Sequence, residues 1–419
     1  MEIVTKNAPH LRNPKARVSR FMGDVSIALT PLVLFAIYQH GLDALWILLA
    51  AVLSMVATEY VYYQVVDWLE RRREAKSDTE KKIRDLKLDK AQLRKELREK
   101  KSDAAKEAYD SFMETYREEL PKLKEKLREE NKQAPRKANK SFRLLNRSFT
   151  LGNFSVITSG IIYGLTLPDV IPLGMAITGG VAGILLGKLI FGGLGQNIFN
   201  PAAFARVFVT LSFGTALGYQ AFVDAEAGAT VLTALNENLA NQQIVETYGY
   251  TALFTGIGLP GSLGETSALL ILVGGLYLAL RKSFDLFVPL TYVGTVLVLS
   301  LSVMWTQGLG FWFPLAQVLS GGLLFGAVFM ATDPISIPVT RPGRIYFAFG
   351  LGVLTFLIRL FGNLPEGVVF AIVFMNMFSP AIDYPRWSRN RFSARSVLIF
   401  AAVVALAILI TNVGVYYVE

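Results

Sequence analysis

The sequence predicts an all-α polytopic membrane protein with about eleven transmembrane helices. Three observations carry that expectation. Of its 419 residues 52% are hydrophobic, and they fall in apolar runs of about 20 residues, the length that spans a bilayer. The net charge of +9 is almost wholly confined to residues 71–140, which hold 24 Lys/Arg and 16 Asp/Glu. The other basic residues recur at alternate ends of the apolar runs, the asymmetry that orients membrane helices.

The runs cover residues 22–40, 43–66, 149–167, 170–191, 200–218, 264–281, 285–305, 312–332, 345–361, 365–383 and 396–417. Lys6, Arg12, Lys15, Arg17 and Arg20 place the N-terminus in the cytoplasm. Counting on from there puts Arg281, Lys282, Arg341, Arg344 and the arginines of 386–395 on the same side. No Lys or Arg lies between Arg206 and Arg281. The loop 219–262 and the C-terminus come out extracytoplasmic. The resulting divisions are 1–66 (basic segment and two helices), 67–145 (charged insertion), 146–218 (helices three to five), 219–262 (outer loop), 263–383 (helices six to ten) and 384–419 (basic loop and last helix). Five spans precede the outer loop and five follow it, so a duplication would relate the halves by inversion. No cleavage site follows the basic N-terminus, so no removable signal peptide is expected.

The insertion alternates charge with apolar residues at helical spacing, Ile83, Leu86, Leu93 and Leu97, then Phe112, Tyr116, Leu120, Leu123 and Leu127. It reads as a cytoplasmic helical hairpin. Ser77 and Glu80 have the spacing of a capping box that opens a helix. Ser102-Asp103 marks the start of the second helix, and Pro121 is expected to break or restart it. Its basic excess lies beside apolar spans, which points to the lipid bilayer and not to nucleic acid. A solvated spacer and a docking arm for a neighbouring subunit both fit.

The chain has no cysteine and two histidines, His10 and His40. This excludes disulfides, Cys-ligated iron–sulfur clusters and Cys/His zinc sites. An electron-carrying role therefore requires an organic cofactor. Among polar residues at the apolar segments, Asn197 and Asn200 stand three apart in GGLGQNIFNP, residues 192–201. Asn200 before Pro201 suits a helix N-cap. Two carboxamides beside bare glycine backbone also suit a planar polar ring. Glu265, Asp333 and Asp383 are candidates for an ion path, because ionisable groups in apolar segments are costly and usually functional or paired. Glu265 equally suits a helix N-terminus, and Asp333-Pro334 a turn. Lys188 and Arg206 are expected to snorkel to the inner surface. In the outer loop, Gly228 and Ala229 precede Thr230, so its hydroxyl can project from a tight turn, with Asp224 close in sequence.

Several stretches resemble the RnfD/NqrB family, membrane subunits of the Rnf and Nqr ion-translocating electron-transfer complexes. They are APHLR (8–12), LSMVATEY (53–60), FGGLGQNIFNPAAFARVF (191–208), VDAEAGAT (223–230), GETSALLILVGGLYL (264–278), FMATDPISIPVT (329–340) and IRLFGNLPEGVVFAIVFMN (358–376). APHLR and LPEGVVFA look more like RnfD. The resemblance implies covalent FMN, joined through its phosphate to Thr230 in a motif that Asp224, Gly228 and Ala229 match. Ala227 stands where the family has serine. It also implies noncovalent riboflavin near Asn197 and Asn200, a flavin transferase for maturation, and iron–sulfur, flavin and membrane subunits as partners. The implied function is that of an electron-carrier subunit of a Na⁺- or H⁺-translocating ferredoxin:NAD oxidoreductase in a bacterial or archaeal cell membrane. An Nqr-type quinone reductase subunit, a non-redox transporter on the same scaffold and a structural anchor remain alternatives. The insertion and the helix at 396–417 depart from the family pattern.

Overall fold

A computed structural model describes residues 18–100, 103–137, 154–214, 243–258, 261–320, 322–361, 367–383 and 394–418. Every regular element among them is helical. The chain divides into two compact units, one of Met1–Glu59 with Thr150–Glu419 and the other Tyr60–Phe149.

Helix α1 is Val18–Lys100, interrupted at Gly41 by φ 69° and ψ −147°, a conformation that glycine adopts at little cost. The chain doubles back there. Ser26 Oγ lies 2.8 Å from Thr158 Oγ1, while a Cβ on Gly160 would lie 2.7 Å from Val52 Cα. On one straight helix, residues 26 and 52 would be about 39 Å apart. Only a hairpin brings both beside α3, Ser155–Leu165. The first two read spans are its two arms.

The remaining helices of this unit are α4 Leu173–Gly187, α5 Pro201–Phe213, α6 Gln243–Thr255, α7 Ala268–Arg281, α8 Phe287–Gln307, α9 Trp312–Leu319, α10 Leu323–Met330, α11 Arg341–Phe361, α12 Gly367–Ile382 and α13 Ala394–Val418. A helix falls in each span read from the sequence, and the chain is a polytopic all-α membrane protein. Among the described residues, five helices are long and apolar enough to cross a membrane. They become six if α9 and α10, bent by 54°, form one broken span. The shorter apolar helices are α3, α5, α7 and α12.

Glycine sets the closest packing. A Cβ on Gly183 would come within 2.5 Å of Ala205 Cβ and 2.8 Å of Pro201 O. Thus α4 and α5 meet backbone to backbone, where no side chain fits. Helix α13 leans on α8 and α11: Phe400 packs edge-on to Phe349, and Asn412 Nδ2 donates to Ser302 Oγ. Most of its apolar side chains, such as Leu398 and Leu409, are exposed, as expected for a lipid-facing helix.

In the second unit α1 runs to Lys100 and α2 spans Asp103–Lys137. Thr79, Ile83, Leu86, Lys90 and Leu93 alternate four and three apart, as do Tyr109, Met113, Tyr116, Leu120, Leu123 and Leu127. This is the seam of a two-stranded coiled coil. Lys90 Nζ sits 4.4 Å from the centre of the Tyr116 ring, joining the strands. The hairpin and the start at Asp103 are as expected; two details differ. No helix opens at Ser77, because the helix arriving from the preceding apolar arm continues through it and leaves no free N–H groups to cap. Pro121 does not break α2. The seam residues on both sides of it continue the same register, and its exposed ring faces water.

Candidate functional site

The loop from α4 to α5 builds the site. After the short turn Leu189–Phe191, Gly192, Gly193 and Gly195 take φ of 108°, 90° and 92°, which other residues rarely adopt. That explains the glycine run and delivers Asn197 and Asn200 to the start of α5. Asn200 is the N-cap: its Oδ1 accepts from the N–H of Ala202 at 3.0 Å and of Ala203 at 3.3 Å, with Pro201 at the first helical position. Its Nδ2 donates to Met330 O, 3.1 Å away at the end of α10. The Asn376 amide on α12, oriented by its neighbours, accepts from the Asn200 N–H and donates to Ser336 O. Asn197 differs. Its Nδ2 donates to Phe199 O at 2.9 Å, but its buried Oδ1 has no hydrogen-bond partner. Leaving such an acceptor unpaired is costly.

Asn197 and Asn200 line a pocket with ≈ 620 Å³ of empty space, its open mouth included. The wall comes from the start of α1 (Phe21, Met22), the start of α3 (Ser155, Thr158), Lys188 after α4, Ser283 after α7, and Thr332 and Asp333 after α10. These are the helix ends that the alternation of spans puts on one side. Nearby, Asp24 on α1 accepts from Arg281 Nε and Nη2 at 3.2 and 3.0 Å and from the Ser283 hydroxyl, fastening α1 to α7.

The snorkelling expected of Lys188 and Arg206 does not occur. Both are buried, at 1% and 0% exposure. Lys188 Nζ lies 3.0 Å from Glu59 Oε1, from the second arm of α1. Packing of α4 on α5 encloses these side chains before they can reach an aqueous surface. The ion pair was missed in sequence; the available signal was a glutamate, Glu59, inside an apolar run with a lysine in a later one.

The three ion-path candidates are not gathered in one place. Glu265 lies against Gly322 at the start of α10; a Cβ there would be 2.7 Å from its Oε2. At the other side of the same break, Arg359 Nη1 donates to Gln317 O at 2.6 Å and Nη2 to Ser320 O at 3.0 Å. A carboxylate at a helix N-terminus and a guanidinium at a C-terminus both suit the helix dipoles. Asp333, beyond the far end of α10, accepts from the Ile335 N–H at 3.4 Å and Ser336 Oγ at 3.1 Å. Asp383 accepts from the N–H groups of Val339 at 2.6 Å and Thr340 at 3.3 Å, just before α11. The break itself was also missed; Gly321-Gly322 was its signal. Among the described residues no group of three His, Cys, Asp or Glu could hold a metal ion. Asp224, Gly228, Ala229 and Thr230 lie outside the described residues.

The NQR2, RnfD, RnfE family model matches residues 4–78 and 140–391. The chain belongs to this family. The match skips the central part of the charged hairpin and stops before α13, the two features that the sequence sets apart. One relative is a subunit of the proton-translocating ferredoxin:NAD(+) oxidoreductase complex of Clostridium ljungdahlii, 30% identical over 386 residues, which cover 90% of this chain and 92% of the relative. The matching subunit of the Na(+)-translocating ferredoxin:NAD(+) oxidoreductase complex of Acetobacterium woodii is 36% identical over 256 residues, 59% of this chain and 76% of the relative. A subunit of the Na(+)-translocating NADH-quinone reductase of Chromohalobacter salexigens is 36% identical over 246 residues, 55% of this chain and 58% of the relative. Within the family's matched segments lie Asn197, Asn200, Thr230, Glu265, Asp333 and Asp383.

Proposed function

We propose that this family member is the membrane electron-carrier subunit of an Rnf-type, ion-translocating ferredoxin:NAD oxidoreductase. It holds covalent FMN on Thr230 and riboflavin in the Asn197–Asn200 pocket. Flavin supplies one-electron chemistry that no side chain here offers. The observation that carries the reading is the orphaned, buried Oδ1 of Asn197, a residue that lines the pocket. It is an acceptor suited to a ring N–H. Ser155 and Thr158 line the same space. Nucleotide and ferredoxin sites belong to partner subunits, and a flavin transferase loads Thr230.

The chain sits in the cell membrane with its N-terminus and charged hairpin cytoplasmic, and with the 219–262 loop and the C-terminus outside. The pocket then faces the cytoplasmic half and Thr230 the opposite side. Eleven spans, the first ten as two inverted five-helix halves, fit this placement. Supporting the duplication, Gly160, Thr166, Pro168, Ile171, Pro172, Asn197, Phe204, Ala205, Val207 and Phe208 recur at one constant interval as Gly326, Thr332, Pro334, Ile337, Pro338, Asn363, Phe370, Ala371, Val373 and Phe374. The hairpin touches a complex partner, and the coupling ion is H⁺ or Na⁺, the ions that the relatives' names carry.

Mass measurement of the natively matured chain tests the central claim. A flavin phosphate on the peptide bearing residues 207–280, lost in Thr230→Ala, is expected; a bare chain from a flavin-loading host overturns it and favours a non-redox transporter. The 36% identity to the quinone reductase relative keeps the Nqr-type reading as the second, and the electron acceptor of the assembled complex decides between them.

A further inference from the structure

Neither helix capping nor ring recognition uses the ion pair in the pocket wall. Lys188 and Glu59 are 3.0 Å apart with side-chain exposures of 1% and 0%. Lys188 lines the pocket and Glu59, the partner of its ammonium, does not. Among the described lining residues, Lys188 is the only cation and Asp333 the only carboxylate. Asp333 is held in its own turn by the Ile335 N–H and the Ser336 hydroxyl. A buried pair like this is weak evidence for stability, since apolar replacements are often neutral or better. A fixed, buried charge beside a ligand pocket, by contrast, acts on any charge that develops inside.

We infer that Lys188, oriented by Glu59, is a positioning residue for the pocket's flavin and stabilises its reduced ring. The inference rests on the noncovalent-flavin reading above. One electron enters from a one-electron centre of a partner subunit. No bond in this chain forms or breaks; the ring gains one negative charge, and the ammonium offsets it. Asp333, across the pocket, acts in the opposite sense, so the lysine decides whether the site favours the reduced form. Glu59 moderates its charge and fixes its position.

The test is a redox titration of the purified chain in the Thr230→Ala background, with bound riboflavin measured after acid extraction. Lys188→Met alone strands a buried carboxylate and endangers folding. The informative pair is therefore Glu59→Gln and the double variant Glu59→Gln/Lys188→Met, with Lys188→Arg as the conservative control. The midpoint is expected to move positive in Glu59→Gln, to move negative in the double variant, and to stay near the unmodified value in Lys188→Arg. Between Glu59→Gln and the double variant, the reduced-to-oxidised ratio at fixed potential changes at least tenfold, about 59 mV for one electron. Variants that retain flavin but titrate together, or that move in one direction only, overturn the inference and leave the flavin reading intact. An Asn197→Leu chain that binds as much extractable flavin as its parent, or a parent chain that yields none, removes the reading and the inference with it.

Discussion

Replacing Asn200 separates its two jobs. In Asn200→Ala the cap on Ala202 and Ala203 disappears, which costs about 1 kcal/mol. The Met330 carbonyl also loses its side-chain donor and keeps only the longer bond from the Asp333 N–H at 3.4 Å. Asn200 is only 4% exposed, so water does not take the donor's place, and the lost hydrogen bond costs about 0.5–1.5 kcal/mol. The total is about 1.5–2.5 kcal/mol. Asn200→Ser keeps a good capping oxygen but is too short to reach Met330, so it should lose only the second part, about 0.5–1.5 kcal/mol. Thermal unfolding in lipid nanodiscs, followed by tryptophan fluorescence and protease sensitivity, should rank the chains Asn, then Ser, then Ala. Equal midpoints for Ser and Ala would show that the cap contributes nothing. An Ala variant as stable as the parent would refute both terms and, with them, the account of how α5 is tied to α10.

Arg359→Met leaves the Gln317 and Ser320 carbonyls at the broken span without their charged donor. With hydrogen bonds to charged groups worth about 1.5–3 kcal/mol each, the purified yield and the melting temperature should fall sharply, while Arg341→Met, on an exposed site, should leave both unchanged. Gly183→Val should wedge α4 from α5, where a Cβ already meets Ala205 at 2.5 Å. Such overpacking costs about 1–3 kcal/mol, and a crosslink between the two helices should report the gap. Excising residues 75–135 and closing the gap with a short glycine–serine linker should preserve melting and flavin content, since the family match itself skips 79–139. Loss of complex assembly alone would assign the hairpin to a partner. Ala227→Ser should raise the flavinylated fraction on Thr230 in the mass spectrum of the mature chain.

Much of the fold was legible because a membrane helix has to hide its backbone from lipid, and only long apolar runs do that. Asn200-Pro201 and Asp333-Pro334 were legible too, since a cap and a turn are set by residues within a few positions of each other. What escaped were relations between distant segments. Lys188 read as a snorkelling lysine because nothing local shows that Glu59 will stand 3.0 Å away. Ser77 read as a helix start, since a capping box looks the same whether or not the preceding chain is already helical. Span eight read as continuous, for its apolar run passes through Gly321-Gly322 without a change in hydropathy. The charges that hold its break, Glu265 and Arg359, come from elsewhere in the chain.

Helix α10 is a stub of eight residues, Leu323–Met330, about 12 Å long. Its first turn rests on the Glu265 carboxylate, and its last carbonyl is gripped by Asn200. The glutamate end and the Asn200 end are therefore only eight residues apart along one element, and both faces of the helical layer converge on it.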